Sequence, residues 1–292
     1  MEKHELEIYI GPFSEWKQQK LDKNQAIKLV SNGNVDTLRI SASISKSIAP
    51  IEDTATIQIY NLSEDTRNAL RRGLSVNIFA GEEGREKELV YKGGITRSLS
   101  VKNGPDIITT ISCLTAQGGI LMAKTAKSFS EGVEIKDIVA ELASSIEGIV
   151  VDMANIDVSG QTGYSGFTFI GQTKDALNNL ARQYGFTWSI DNGVFKAKKD
   201  GIYTPSNIIL SDSNVLRKVS PRTDGPWSLQ EGVDILARYM PNVGPWKQVK
   251  VISGINRQMS DTYSCHQIDY SLAPKSNEWD MHIVDMLAYS MR

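Results

Sequence analysis

The sequence predicts an α+β protein that is mainly β, with two antiparallel β-barrel domains and an α+β insert between them. Three observations predict it: a similar β-unit occurs twice, the apolar period between the copies turns helical, and tight-turn signals punctuate both flanking regions. In the first copy Ser75–Gly81 is followed by Leu89–Val101, the Asn103-Gly104 turn and Ile107–Cys113. The second is shorter, with Gln248–Gly254, Ile255–Met259, the Ser260-Asp261 turn and Thr262–Cys265 running on to Leu272. Each copy reads strand, glycine, strand, tight turn, strand ending near a cysteine. A repeat this weak fits internal duplication and generic β composition equally well.

The first barrel domain is assigned to residues 1–115. Between 36 and 62 the alternation is strict: Leu38, Ile40, Ala42 and Ile44 oppose Arg39, Ser41, Ser43 and Ser45, and Ala55, Ile57 and Ile59 oppose Thr56, Gln58 and Tyr60. That is the pattern of half-buried antiparallel strands. Ser63 then caps a short helix with Glu64 and Asp65 in its first turn, ending before Gly73. The insert is assigned to 116–203. Ile135, Ile138, Val139, Leu142 and Ile146 recur at helical spacing before Gly148, and a second helix opens at Thr173, buries Leu177, Leu180, Ala181 and Tyr184, and stops at Gly185. Thr187–Ile190, the Asp191-Asn192-Gly193 turn and Val194–Ala197 form a hairpin. The second barrel domain, 204–292, returns to strand chemistry around Val233–Ala237, and Trp279–Arg292 reads as a short helix or a docking tail.

Composition narrows the function. The chain has 292 residues, room for two or three domains, and its 40% hydrophobic and 23% charged content is that of a globular protein without a membrane span. The N-terminus is charged and lacks an apolar signal core, which points to a reducing cytoplasm. Cys113 and Cys265 therefore read as small buried hydrophobes. A formal charge of -2 gives no global attraction for nucleic acid. No convergent catalytic, cofactor-binding or metal-ligating set is found. The three histidines, His4, His266 and His282, are scattered, and Gly160–Gly166 lacks nucleophile-elbow spacing. Lys92-Gly93-Gly94 lacks Walker spacing, so its glycines are assigned to a bulge or strand bend. The expectation is no enzyme and no cofactor. Trp227, Trp246 and Trp279, near turns or the chain end, are candidate interface anchors, and local packing accounts for them at least as well.

Ala55–Ser63, with its Ile-Tyr-Asn-Leu-Ser stretch, followed by Val76–Gly81, Tyr91–Thr96 and Gly104–Ile111, resembles the first tube domain of bacteriophage baseplate hub proteins, which form the tail-tip ring of contractile-tailed phages and related injection systems. Ala176–Ile190 with Asn192-Gly193 resembles that family's α+β insert, and Pro245–Val251, Asp261–Ser264 and Glu278-Trp279 resemble its second tube domain. The resemblance covers most of the chain from about residue 36. It implies two tail-tube-like barrels and a homotrimer whose six modules mate with a sixfold tail tube protein on one side and a trimeric central spike protein on the other. It also implies contacts with tape-measure and other baseplate proteins, DNA only in passing through the channel, and residence in the virion tail baseplate after assembly in the host cytoplasm. Arg39, Ser41, Ser43 and Ser45 are candidate channel-lining residues, and an exposed outer face fits them equally well. Two other classes stay open: a carbohydrate-binding or adhesion module using Trp227 and Trp246, and a peptidoglycan hydrolase depending on His266 or Glu83.

Overall fold

The computed structural model describes residues 3–15, 20–22, 24–116, 119–158, 166–223, 231–276 and 278–286. The first region contains β1 (His4–Gly11), β2 (Phe13–Glu15), β3 (Lys20–Leu21), β4 (Ile27–Asn32), β5 (Ile40–Ser47), β6 (Thr54–Tyr60), helix α1 (Glu64–Ala69), β7 (Ser75–Glu82), β8 (Glu88–Asn103) and β9 (Asp106–Leu114). The middle contains α2 (Gly119–Met122), β10 (Lys124–Phe129), α3 (Ile135–Ala143), β11 (Ile156–Asp157), β12 (Phe167–Gln172), α4 (Thr173–Tyr184), β13 (Phe186–Asp191) and β14 (Val194–Lys199). The last region contains β15 (Ile209–Ser211), β16 (Leu216–Thr223), β17 (Glu231–Arg238), β18 (Gln248–Ile252), β19 (Thr262–Ser264), β20 (Gln267–Ala273) and β21 (Glu278–Met286).

Local chemistry explains these elements. In β5 and β6 every second side chain is buried, so Ile40, Ala42, Ile44, Ala55, Ile57 and Ile59 form the core face. Ser63 caps α1 by accepting from the Thr66 amide. The α4 helix buries Ala176, Leu177 and Leu180, about 1.5–3 kcal/mol for each leucine. It ends where Gly185 adopts φ +65, a left-handed cap. Asn192 and Gly193 both have positive φ, the geometry a two-residue hairpin needs between β13 and β14.

The protein is mainly β and is dominated by one antiparallel sheet of eleven strands, ordered β16-β17-β21-β20-β5-β6-β9-β8-β7-β1-β4. The β5 strand is the hinge of this arrangement. Its Ala42–Ser47 stretch pairs with β20, whereas just before it the Leu38 amide reaches back to the Val30 carbonyl, so β4 and β5 bring the two ends of the first seven-strand unit together. The buried side chains of both flanking regions pack into a single core, while α3, α4, β13 and β14 enclose a second core around Trp188 and Phe195.

A structural repeat is present, but it lies elsewhere than the sequence repeat suggests. Residues Arg257–Met259 are a 3-10 turn, and β18 pairs antiparallel with β19 and parallel with β15, so the second stretch is no three-strand meander. Instead, the same four-strand order occurs twice: β5-β6-β9-β8 in the first region and β16-β17-β21-β20 in the last. In each, two hairpins join through the second strand of one and the second strand of the other. The segment from Trp279 is also corrected. It lies in β21, in the interior of the sheet, because Trp279, Met281 and Ile283 alternate into the core; residues 287–292 fall outside the described chain.

Lys92-Gly93-Gly94, assigned to a bulge or strand bend, pairs in regular register with β7, and the register shifts lie on either side of it. The ladder with β9 shifts between Ile95 and Arg97, and a Cβ on Gly93 would lie 2.6 Å from the Leu114 carbonyl and against the Tyr91 hydroxyl. Gly93→Ala is therefore expected to cost about 1–3 kcal/mol of stability. Urea denaturation checks it, and an unchanged midpoint would mean that β8 has slack at this close approach.

Candidate assembly interface

One face of the large sheet packs on the core and the other is polar. Arg39 and Ser43 are exposed, Ser41 and Ser45 half-exposed, and Thr56 and Gln58 continue this face across β6. The Arg39 guanidinium lies 4.6 Å from the centre of the Tyr60 ring, which holds it on the surface at the start of β5. Farther along, Ser271 of β20 pairs with Ser43, and His282 of β21 stands 3.4 Å from Asp234 and 4.0 Å from Asp269. Arg217 reaches Asp280 at 2.8 Å. Burial raises the Asp280 carboxyl above its ordinary value against the pull of Arg217. Among the described residues the face carries both signs of charge and many hydroxyls. Four of the candidate lining residues, Arg39, Ser41, Ser43 and Ser45, thus share one face.

The tryptophans sit differently. Trp246 and Trp279 are 3% and 4% exposed and pack within the chain. The Trp246 indole donates to Ser189 Oγ at 2.9 Å, and Trp279 stacks on His4 at 4.7 Å. Trp246 therefore joins the insert to the second β-unit, and neither ring is an open stacking platform. Trp227 lies outside the described residues.

The insert is seated by a buried polar cluster that the sequence reading did not single out. The tip of the β13–β14 hairpin enters the first β-unit, where Asp191 lies 2.7 Å from both Lys46 and Lys196. Asn192 Oδ1 accepts from Lys46 Nζ at 3.0 Å and from the Lys92 amide at 3.2 Å. Burial pushes the Asp191 carboxyl up, but the two ammonium groups outweigh it and hold it well below the usual carboxylate range. Nearby, burial drives Asp53 up to about 8 despite Lys46. A signal for this cluster was present: Lys46 continues the buried phase of Ile40, Ala42 and Ile44, and a charge on an apolar face needs a partner.

Among the described residues His266 and Glu83 lie apart. His266 bonds Tyr203 at 2.7 Å beside Trp246, and Glu83 bonds Asn34 and lies by Lys3, far from His266 in the strand order. Cys113 and Cys265 are buried free thiols, and burial pushes Cys113 up to about 12. Among the described residues no group of three His, Cys, Asp or Glu is placed to hold a metal, and no helix is long and apolar enough to cross a membrane.

Comparison with known proteins agrees with this architecture. The family described as baseplate hub gp41 matches residues 26–283. The fold is similar to that of a tail protein from Neisseria meningitidis MC58, with a TM-score of 0.69 at 9% identity over 96% of both chains. It is also similar to the 43 kDa tail protein of prophage MuSo2 from Shewanella oneidensis, with a TM-score of 0.64 at 11% identity over 96% of this chain and 97% of the other. The E. coli c3393 protein, a type VI secretion component, gives a TM-score of 0.60 at 9% identity over 89% of this chain and 76% of its own. No curated protein sequence matches.

Proposed function

The chain belongs to the baseplate hub gp41 family, and from that premise we propose that three copies form a ring joining the tail tube to the central spike, with ejected DNA passing through its bore. The observation that carries this reading is the repeated four-strand order joined head to tail by the β20–β5 ladder. Two equivalent units per chain give a threefold ring six quasi-equivalent positions. Such a ring meets a sixfold tube on one face and a threefold spike on the other, resolving a symmetry mismatch without two different proteins.

In this reading the polar sheet face carrying Arg39, Ser41, Ser43 and Ser45 lines the bore. A mixed-charge, hydroxyl-rich wall suits passage of a polyanion, since a strongly basic wall would release counterions and retain phosphates. The insert braces the ring from outside, and the role of the chain is structural rather than catalytic. Its partners are a second and third copy, the tube protein, the spike, and other baseplate components including the tape-measure protein. Assembly takes place in the host cytoplasm, and the product resides in the virion tail.

The expected result in light scattering is a species of three times the chain mass, alone or once the spike is added. A monomer that persists with the spike present overturns the ring.

A further inference from the structure

The β8 strand is sixteen residues long, yet β7 pairs only with Glu88–Gly94. Two backbone bonds from Gly73 and Leu74 carry the neighbour as far as Ile95. Beyond the bulge, Arg97–Asn103 pairs with β9 on one side, and among the described residues no strand lies along its other edge. This distal segment is exposed and includes Leu99 and Val101, 47% and 54% exposed. At the far end of the sheet, β16 is the terminal strand.

The repeat says what belongs on these two edges. The β8–β9 turn is closed by Asn103 opposite Asp106, and the β20–β21 turn by Ala273 opposite Glu278. Counting back from those turns, Arg97–Asn103 occupies in the first unit the place that Gln267–Ala273 occupies in the second. In the second unit this segment is not bare. It pairs antiparallel with β5, with Ser271 opposite Ser43 and Asp269 opposite Ser45. The counterpart of β5 is β16, since Ser41 opposite Gln58 corresponds to Lys218 opposite Leu236.

Resting on the ring reading, we infer that Arg97–Asn103 of one copy pairs antiparallel with β16 of a second copy of this chain, with Val101 opposite Ser220 and Leu99 opposite Arg222. The intermolecular seam then repeats the intramolecular β20–β5 junction, as quasi-equivalence requires. Two details bound it. Asn256 Nδ2 already donates to the Val219 carbonyl at 3.3 Å, so the seam begins at Ser220. Pro221 offers no N–H, which weakens this edge for arbitrary strands and leaves it selective for a partner positioned by the rest of the ring.

Opposed strand residues have Cβ atoms about 4.5–5.5 Å apart, within disulfide range after modest adjustment. The test is oxidation of the full-length Val101→Cys/Ser220→Cys variant against Arg97→Cys/Ser220→Cys, four residues out of register, with native mass measured in parallel. The reduced variants are melted beside wild type to establish that they fold. Covalent multimers forming at least tenfold faster in the in-register variant support the seam. A trimer by mass in which the in-register pair links no faster overturns the seam and leaves the ring standing. A monomer in every condition, spike included, overturns both.

Discussion

Replacing Asp191 with alanine is expected to lower the stability of the protein by about 3–5 kcal/mol, the range for breaking a buried ion pair by deleting one partner. The carboxylate sits between two ammonium groups at 2.7 Å, and the Lys46 side chain is only 5% exposed. Without Asp191, Lys46 keeps Asn192 as a neutral acceptor but loses its counter-charge in a place water does not easily reach. The cost falls on the joint between the insert and the barrel, because both cores are built from other residues. Urea denaturation should therefore show a separate early transition for the insert as well as a shifted midpoint. Lys46→Met added to Asp191→Ala should recover part of the loss, since the stranded charge is then gone. A single transition with an unchanged midpoint would mean that the hairpin tip holds its position by shape alone.

That joint also marks where sequence reading reached its limit. The hairpin was legible because Asp191-Asn192-Gly193 between two apolar runs is a local signal, and α4 was legible because its apolar spacing and Gly185 cap are local too. What the hairpin tip inserts into is not local. Lys46 and Asp191 are far apart in the chain, and no spacing rule brings them together. The duplication shows the same limit. Matching strand lengths and turns picked β18, a 3-10 turn and β19 as a copy of β7-β8-β9, whereas the true correspondence is one of pairing order, β5-β6-β9-β8 with β16-β17-β21-β20. Pairing order is set by which edges meet, and alternation alone does not encode it. Trp246 shows the limit again: a tryptophan beside a turn fits an interface anchor and local packing alike, and only the fold shows that this ring is buried against Ser189.

Asp53→Asn is expected to stabilise the protein, and by an amount that grows with pH. Asp53 is 3% exposed, and although its Oδ1 accepts from the Ser47 amide at 3.3 Å, Oδ2 has no hydrogen-bond partner among the described residues. Burial is the largest influence on the carboxyl, with Lys46 pulling against it, and the result is a value of about 8 where the ordinary one is 3.8. Between those two values the unfolded chain releases the proton while the folded chain keeps it. Stability therefore falls as pH rises through this window, by up to ~1.4 kcal/mol per pH unit for this one group, and levels off above about 8. Asparagine cannot ionise and retains an acceptor for the Ser47 amide, so it removes that slope. The variant should match wild type near pH 4 and exceed it by ~2–4 kcal/mol near pH 7.5. Parallel stability curves for the two proteins between pH 4 and 8 would contradict this. The sign also distinguishes Asp53 from its neighbour. Asp191 is held low, so its contribution is present above the ordinary carboxylate value and lost as pH falls through its depressed one. Burial is what raises Asp53; Lys46 pulls against it while paired with Asp191, and the Asp191 charge adds to the rise. Removing Asp191 should therefore free Lys46 to stabilise the Asp53 carboxylate and flatten the same slope, an outcome that Asp191→Ala can be measured for alongside Asp53→Asn.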